Sequence, residues 1–347
     1  MRIGIPREIK DGEYRVALSP SGIHGLAAVV VEPGAGAGVG FSDEDYRAAG
    51  ASLGDPWECE LVVKVKELQE AEYEKPRPGQ TIFCFQHFGP HPELLEAALA
   101  SGATFIAFET VGQAGGALPI LAPMSAIAGR LAVQAGAWCL LKQNGGSGVL
   151  LPGLEGVAPG KVVILGAGNV GSNALAVAHG IGCRVSVFAK TEHRFSTLKR
   201  RYPGTELRVG WASEAILDAD LVIGAVLTPG QMSPKLIDRQ MLRGMRKGSA
   251  LVDVGIDQGG IAETSRATSH SAPTYIEEGV VHYCVPNMPA ACARTASLAL
   301  ERAVLPFLEK IIRGEMNQDL ASGIQVKAGK VTHEHLARDT GRAYFPL

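Results

Sequence analysis

Val162-Val163-Ile164-Leu165-Gly166-Ala167-Gly168-Asn169-Val170-Gly171 is the stretch whose reading decides the fold. Four apolar residues of strand character run into three glycines, and an alanine-rich helical segment follows. A second strand, Arg184 to Phe188, arrives at the spacing of a βαβ unit. In such a junction Gly166 permits the tight turn, Gly168 lets the backbone approach a pyrophosphate, and Gly171 lets helix and strand close up. Unpaired N–H groups at the helix start then favour the phosphate charge. A glycine-tolerant turn with no ligand is the plain alternative, and the strand before and helix after the turn argue against it.

Working outward, the chain of 347 residues is long enough for two domains, with a cleft expected between them. Hydrophobic residues make up 46%, and Lys+Arg (33) nearly balance Asp+Glu (35), for a net charge of −2. No excess field draws this surface to nucleic acid or to an anionic membrane, so the expected partner is a small molecule. Six cysteines lie scattered without paired spacing, mostly in apolar runs, which reads as buried thiols in a cytoplasmic protein. The start, Met1-Arg2-Ile3-Gly4-Ile5-Pro6-Arg7, is a short strand broken by proline and charge rather than a signal peptide. Gly115 to Gly129 is too short and too interrupted to span a bilayer. His333 and His335 suggest no third ligand by spacing, so no metal is expected.

Before the glycine turn, short strands at Arg2–Pro6, Ala28–Glu32, Leu61–Glu67, Thr81–Gln86 and Thr104–Glu109 alternate with helical segments. After it the alternation resumes, with strands near Arg184–Phe188, Leu221–Val226, Ala250–Val254 and Val280–Cys284. From Thr295 to Arg313 the period is helical, and the tail beyond is too small to fold alone. The expectation is therefore an α/β protein of two Rossmann-like, doubly wound domains. The nucleotide-binding domain (128–294) is inserted into a discontinuous substrate domain (1–127 and 295–347). Gln143 to Gly148 reads as a flexible loop, and Gly34 to Gly38 as a tight loop rather than a second nucleotide turn.

Ligands of open parallel sheets gather beyond the carboxyl ends of the strands, which directs attention to the polar residues there. Arg15 follows the first strand, Lys66 lies near the end of the third, and His87 directly follows the fourth. Asp253 and Asp257 lie at the end of a later buried strand, and Asn287 follows the next. Singly, each has an ordinary structural reading. Together a guanidinium, an ammonium, an imidazole and a carboxylate form the set that a dehydrogenase for small amino or keto acids requires. A substrate carboxylate wants a bidentate arginine. A carbonyl under attack wants a cation, and proton traffic near neutral pH wants an imidazole.

Read in their surroundings, the same residues resemble the alanine dehydrogenase / nicotinamide nucleotide transhydrogenase domain I family. The likeness is carried by Gly4-Ile5-Pro6-Arg7-Glu8-Ile9-Lys10 with Glu13-Tyr14-Arg15-Val16-Ala17-Leu18, and by Val65-Lys66-Glu67. Ala122-Pro123-Met124-Ser125, Leu165-Gly166-Ala167-Gly168, the run from Val252 to Gly260, and Asn287-Met288-Pro289 continue it along nearly the whole chain. The resemblance implies that Arg15 and Lys66 hold the substrate carboxylate and carbonyl, and that His87 and Asp257 serve proton transfer. It places cofactor contacts at Ser125, Asn169, Val170, Arg194, Val226, Leu227 and Arg266, and along Val254-Gly255-Ile256-Asp257 and Val285-Pro286-Asn287-Met288, beside the glycines of the turn. The implied reaction is reversible: L-alanine, NAD and water give pyruvate, ammonia and NADH. Homo-oligomers, usually hexamers, are implied as well.

The chain departs from the family pattern at Ala189, where an aspartate that binds the adenosine ribose is usual. Lys190-Thr191-Glu192-His193-Arg194 follows, a run suited to a 2′-phosphate, so weakened discrimination between NAD and NADP is expected, against the alternative of a solvated loop. Two other activities stay open at this point. One is reductive condensation of a 2-oxo acid with the side-chain amine of ornithine or lysine, and the other is a non-aminating, transhydrogenase-type nucleotide-binding subunit.

Overall fold

Residues 1–26, 28–112, 116–211, 213–226 and 232–347 are described by a computed structural model. The short apolar runs of the first part form β1 (Ile3–Ile5), β2 (Val29–Val31), β3 (Ser52–Leu53), β4 (Leu61–Val63), β5 (Thr81–Cys84) and β6 (Thr104–Ala107). The middle contributes β7 (Lys161–Leu165), β8 (Arg184–Ala189), β9 (Glu206–Val209), β10 (Leu221–Gly224), β11 (Ala250–Asp253), β12 (Thr274–Glu277) and β13 (Val280–Tyr283). The end adds β14 (Ile324–Lys327) and β15 (Lys330–Val331).

These strands form two sheets among the described residues, in the orders β15-β14-β6-β5-β4-β1-β2-β3 and β12-β13-β11-β10-β7-β8-β9. Both share one logic. The first strand of each series lies inside the sheet, the next two extend one way from it and the later ones the other way, all in parallel. Such a doubly wound order puts a crevice at the point where the direction of winding reverses, beyond β1 and β4 in one sheet and beyond β7 and β10 in the other. Each sheet ends in an antiparallel addition: β12 beside β13, and β14 with β15 beside β6.

The chain divides into two compact units, Met1–Met124 with Cys292–Leu347, and Ser125–Ala291. The long helix Leu121–Cys139 begins in the first and continues in the second. Within the first unit the returning tail is tied in by apolar burial. Phe105 of β6, Val326 of β14, Val331 of β15 and Leu336 of the last helix share one cluster and are almost wholly buried. Within the second unit, Val162, Ile164, Ile223 and Val252 point to one face of the sheet and Val163, Leu165, Val222 and Leu251 to the other. That is the two-sided burial that makes parallel strands read as continuous apolar runs.

β4 and β5 are shorter at their carboxyl ends than the sequence pattern suggests, and carboxylate side chains take the amides there. β4 stops at Val63 and not at Glu67, since Pro6 has no N–H to donate and Glu8 takes the next amide, Val65 N, at 2.6 Å. Strands β12 to β15 include two hairpins closed by Glu278-Gly279 and Ala328-Gly329, with positive φ at all four residues. Their first residues are not the usual asparagine or aspartate of such turns, which is why β12, β14 and β15 escape the sequence reading. Gln143 to Gly148 is tied down rather than loose, with Ser147 N on Gly248 O at 2.8 Å and Gly148 N on Leu140 O at 2.7 Å.

Candidate active site and cofactor-binding residues

In the first unit, Lys66 and His87 follow the neighbouring strands β4 and β5 and meet on one carboxylate oxygen. Lys66 Nζ lies 3.2 Å from Glu67 Oε2, and His87 Nδ1 donates to the same Oε2 at 3.0 Å. Lys10 donates to the other oxygen, Oε1. Phe85 floors the arrangement, with Lys66 Nζ 6.0 Å from its ring centroid and the His87 ring stacked 5.8 Å away. Because a carboxylate only accepts, the Nδ1 proton is assigned to this bond, and in the neutral ring Nε2 is the nitrogen with a lone pair. Burial alone would raise the Glu67 carboxyl. The bond from His87, the charges of Lys66 and His87 and the bond from Lys10 together hold it well below the usual carboxylate range. The Glu67 side chain is 5% exposed and that of His87 39%, so the carboxylate is the buried anchor and the imidazole its accessible end.

Two further carboxylates fix the backbone of this pair. Glu109, just past β6, accepts from His87 N at 2.8 Å and from Gln86 N at 3.1 Å. His87 sits at φ +48°, a conformation uncommon outside glycine, and these bonds hold it there. Glu8, past β1, accepts from Val65 N in the same manner. Arg15 is 2% exposed and engaged by Glu13, whose Oε1 accepts from Nε at 2.7 Å and Oε2 from Nη2 at 2.5 Å. Its Nη1 faces the Met124 sulfur at 3.2 Å. Neither Arg15 nor Lys66 is a solvated surface charge. Glu67, Glu109, Glu8 and Glu13 have no assigned role from sequence alone. The signal that could have found them is their position, each within three residues of a strand end or of a candidate cation.

In the second unit the glycine turn follows β7, where the winding reverses. Gly166 has φ +113°, and a Cβ there would lie 2.4 Å from Ala225 O. A Cβ on Gly171 would stand 1.8 Å from Gly166 O, whereas one on Gly168 would meet nothing within 4 Å. Helix Asn169–Gly180 thus starts against open space, a cradle suited to a phosphate. Asn169 Oδ1 accepts from Arg194 Nη1 at 3.4 Å, which brings two of the candidate cofactor contacts together, and Val170 is buried in the helix's first turn. Ala189 closes β8 at 6% exposure and Lys190 after it is exposed.

The segment Val254 to Gly260 is organised by two side chains. Asp253, fully buried at the end of β11, accepts from Gly255 N at 3.1 Å, Ile261 N at 2.7 Å and Ser265 Oγ at 2.5 Å, while Lys235 Nζ donates to Gly260 O and Ala262 O. Between them Ile256–Gln258 forms a single 3-10 turn that leaves Asp257 exposed, four residues past the strand end and not on it. Arg266 lies with its guanidinium 3.7 Å from the Tyr275 ring centroid. Past β13, Val285 and Met288 are buried, Pro286 is half-buried, and Asn287 adopts φ +54°. Ser125 is half-buried in its long helix, and Val226 is half-buried past β10. Leu227 lies outside the described residues.

Two family descriptions match consecutive parts of the chain: "Alanine dehydrogenase/PNT, N-terminal domain" over residues 4–128, and "Alanine dehydrogenase/PNT, C-terminal domain" over residues 132–334. The chain belongs to the alanine dehydrogenase/PNT family. Among its relatives in this family, the alanine dehydrogenase of Halomonas elongata is 48% identical over 99% of this chain and 98% of its own length. That of Bacillus subtilis is 43% identical over 100% and 96%. A solved L-alanine dehydrogenase superposes with a TM-score of 0.93 at 44% identity, covering 98% of this chain and 99% of the other. A transhydrogenase from Sinorhizobium meliloti follows at 0.85 and 25%, covering 96% and 100%. Alanine dehydrogenase/PNT membership and the two-sheet α/β architecture therefore agree. Among the described residues no group of three metal-ligating side chains gathers, and no helix is long and apolar enough to cross a membrane.

Proposed function

We propose that the chain is an L-alanine dehydrogenase that interconverts L-alanine and pyruvate plus ammonia, with NAD as its cofactor. The observation that carries the reading is the Lys66–Glu67–His87 cluster, a cation and an accessible imidazole held on one buried carboxylate oxygen. The open cradle at Gly168 fits the cofactor's pyrophosphate, and Asn169, Arg194, Arg266 and the segments 254–257 and 285–288 would hold the rest. When bound, the nicotinamide supplies hydride transfer.

The chain's own residues do the remaining chemistry. Arg15 binds the substrate carboxylate, its guanidinium oriented by Glu13. Lys66 faces the pyruvate carbonyl oxygen and stabilises the negative charge that develops as ammonia adds. His87 Nε2 moves protons as the carbinolamine forms and water leaves, while Glu67 keeps its Nδ1 proton in place. Asp257, by the family resemblance, shares in proton transfer. A homo-oligomer, hexameric by the family resemblance, and a cytoplasmic location complete the proposal.

Ala189, with Lys190 and Arg194 close after it, supports acceptance of NADP beside NAD. Ala189→Asp should lower kcat/KM for NADPH roughly ten-fold or more through charge repulsion, with a smaller effect on NADH.

The deciding assay follows oxidation of NADH and NADPH with pyruvate, offering ammonia, ornithine or lysine. Ammonia as the preferred amine supports the reading. Preference for ornithine or lysine would make the chain a reductive condensing enzyme, and nucleotide binding without any amination would make it a transhydrogenase-type subunit. His87→Ala and Asp257→Ala should each cut kcat by about a thousand-fold while leaving NADH affinity within a few-fold of the parent. A near-normal rate in either variant removes that residue from the mechanism.

A further inference from the structure

The winding of the first sheet reverses between β1 and β4, and a buried carboxylate occupies the fork. The pairing of β1 with β4 runs through Ile3↔Leu61 and Gly4↔Val62 and then ends, because Pro6 has no amide hydrogen to continue it. Glu8 enters the gap. Its Oε1 accepts from Val65 N at 2.6 Å, and both its oxygens lie 3.4 Å from Lys66 N. Lys64, on the preceding residue, is fully buried, with Nζ 2.7 Å from Glu72 and 3.7 Å from Glu8. The Glu8 side chain is 2% exposed, and its carboxyl is raised to about 7 by burial, against the pull of the Lys64 charge and the Val65 bond. A buried carboxyl spliced into a sheet in place of a backbone carbonyl is an expensive way to satisfy one amide. It splays the two strands where the crevice opens and fixes the segment that bears Lys66.

We propose that Glu8 is a positioning residue of the substrate site: through the Val65 and Lys66 amides it sets where the Lys66 ammonium stands relative to the substrate. The kinetic part of this inference rests on the alanine dehydrogenase reading. The same sheet uses the same device again, with Glu109 beyond β6 holding the His87 amide beyond β5, so Lys66 and His87 are each seated on a carboxylate from a neighbouring strand.

The test compares Glu8→Gln, which keeps an acceptor oxygen for Val65 N–H, with Glu8→Ala, which has none. In Glu8→Ala the KM for pyruvate should rise about ten-fold or more and kcat should fall, while NADH affinity stays unchanged, because a misplaced Lys66 affects the carbonyl and not the nucleotide. Glu8→Gln should recover most of that loss. Amide hydrogen exchange over residues 62–68 gives a reading independent of turnover: protected in the parent and in Glu8→Gln, faster in Glu8→Ala. Equal kinetics in the two variants, unchanged KM in Glu8→Ala, or protection that survives in Glu8→Ala would each overturn the proposal. A parent enzyme that turns over no pyruvate with ammonia would fall on the functional reading instead, and the exchange comparison would still decide whether Glu8 holds the segment.

Discussion

Glu67 gathers an imidazole, one lysine on the same carboxylate oxygen and a second lysine on the other, all at the edge of one buried side chain. Its depressed ionisation is a statement about stability as well as chemistry. A carboxyl held below its unfolded value contributes stability that is in place above the ordinary carboxylate range and is lost as pH falls through the folded value. Glu67→Gln should therefore destabilise the protein by about 3 kcal/mol at pH 7, because it leaves the buried Lys66 ammonium without its partner. The gap to the parent should narrow on acidification below about pH 4, where the unfolded parent takes up its proton first. Chemical denaturation at pH 7 and pH 3.5 measures both, and a gap that stays constant between them would remove Glu67 from the ion-pair role. Arg15 carries a second lesson at this scale. A guanidinium buried to 2% and gripped on its Nε and Nη2 atoms by Glu13 is oriented before any ligand arrives, which lowers the entropic cost of holding a planar carboxylate.

At the scale of elements, the glycines of the β7 turn separate folding from binding. Gly171 is required by the protein itself, since a methyl group there would collide with Gly166 O at 1.8 Å. Gly168 is unopposed by any protein atom within 4 Å. Gly171→Ala should lower Tm by several degrees and weaken NADH binding, as helix and strand are forced apart. Gly168→Ala should keep the parent Tm and weaken NADH binding alone, about ten-fold, because the added carbon occupies the space a phosphate would use. Differential scanning calorimetry with a fluorescence titration of NADH distinguishes the two, and an unchanged affinity in Gly168→Ala would show that the cofactor does not sit over this turn. The antiparallel additions obey a different rule. Glu278 at φ +52° and Ala328 at φ +49° each accept a strained conformation so that a two-residue turn can close a hairpin against a parallel sheet.

For the whole molecule, the return of the chain after the long helix Ala293–Ile312 settles the first unit. β14 pairs with β6 through Ile324↔Ile106 and Val326↔Phe105, and the last helix packs Leu336 and Ala337 into the same cluster. Ending the chain after Arg313 would leave β6 as an open edge and uncover Phe105, an invitation to association between chains. The truncated protein should be recovered mainly in the insoluble fraction, while full-length protein stays in solution. A truncated form that elutes as a discrete folded species in size-exclusion chromatography would show the return to be dispensable.

Much of this plan was legible in the residues. Period and composition alone marked the strands β1, β2, β4 to β8, β10, β11 and β13, the glycine turn with its helix, and a tail that had to pack elsewhere, because buried parallel strands and nucleotide turns are local patterns. They also singled out Arg15, Lys66 and His87 by their places after strands. What they could not show were the partners. Glu67, Glu8, Glu13 and Glu109 carry no role in the sequence reading. Only the sheet order, which sets β1 next to β4, β4 next to β5 and β5 next to β6, turns Glu8, Glu67 and Glu109 into acceptors for a lysine segment and a strained histidine. Strand formation depends on neighbours in sequence, and so it can be read from a linear chain. The bonds that orient Glu8, Glu67 and Glu109 join groups 20 to 58 residues apart, and only the folded sheet brings these within 3.5 Å.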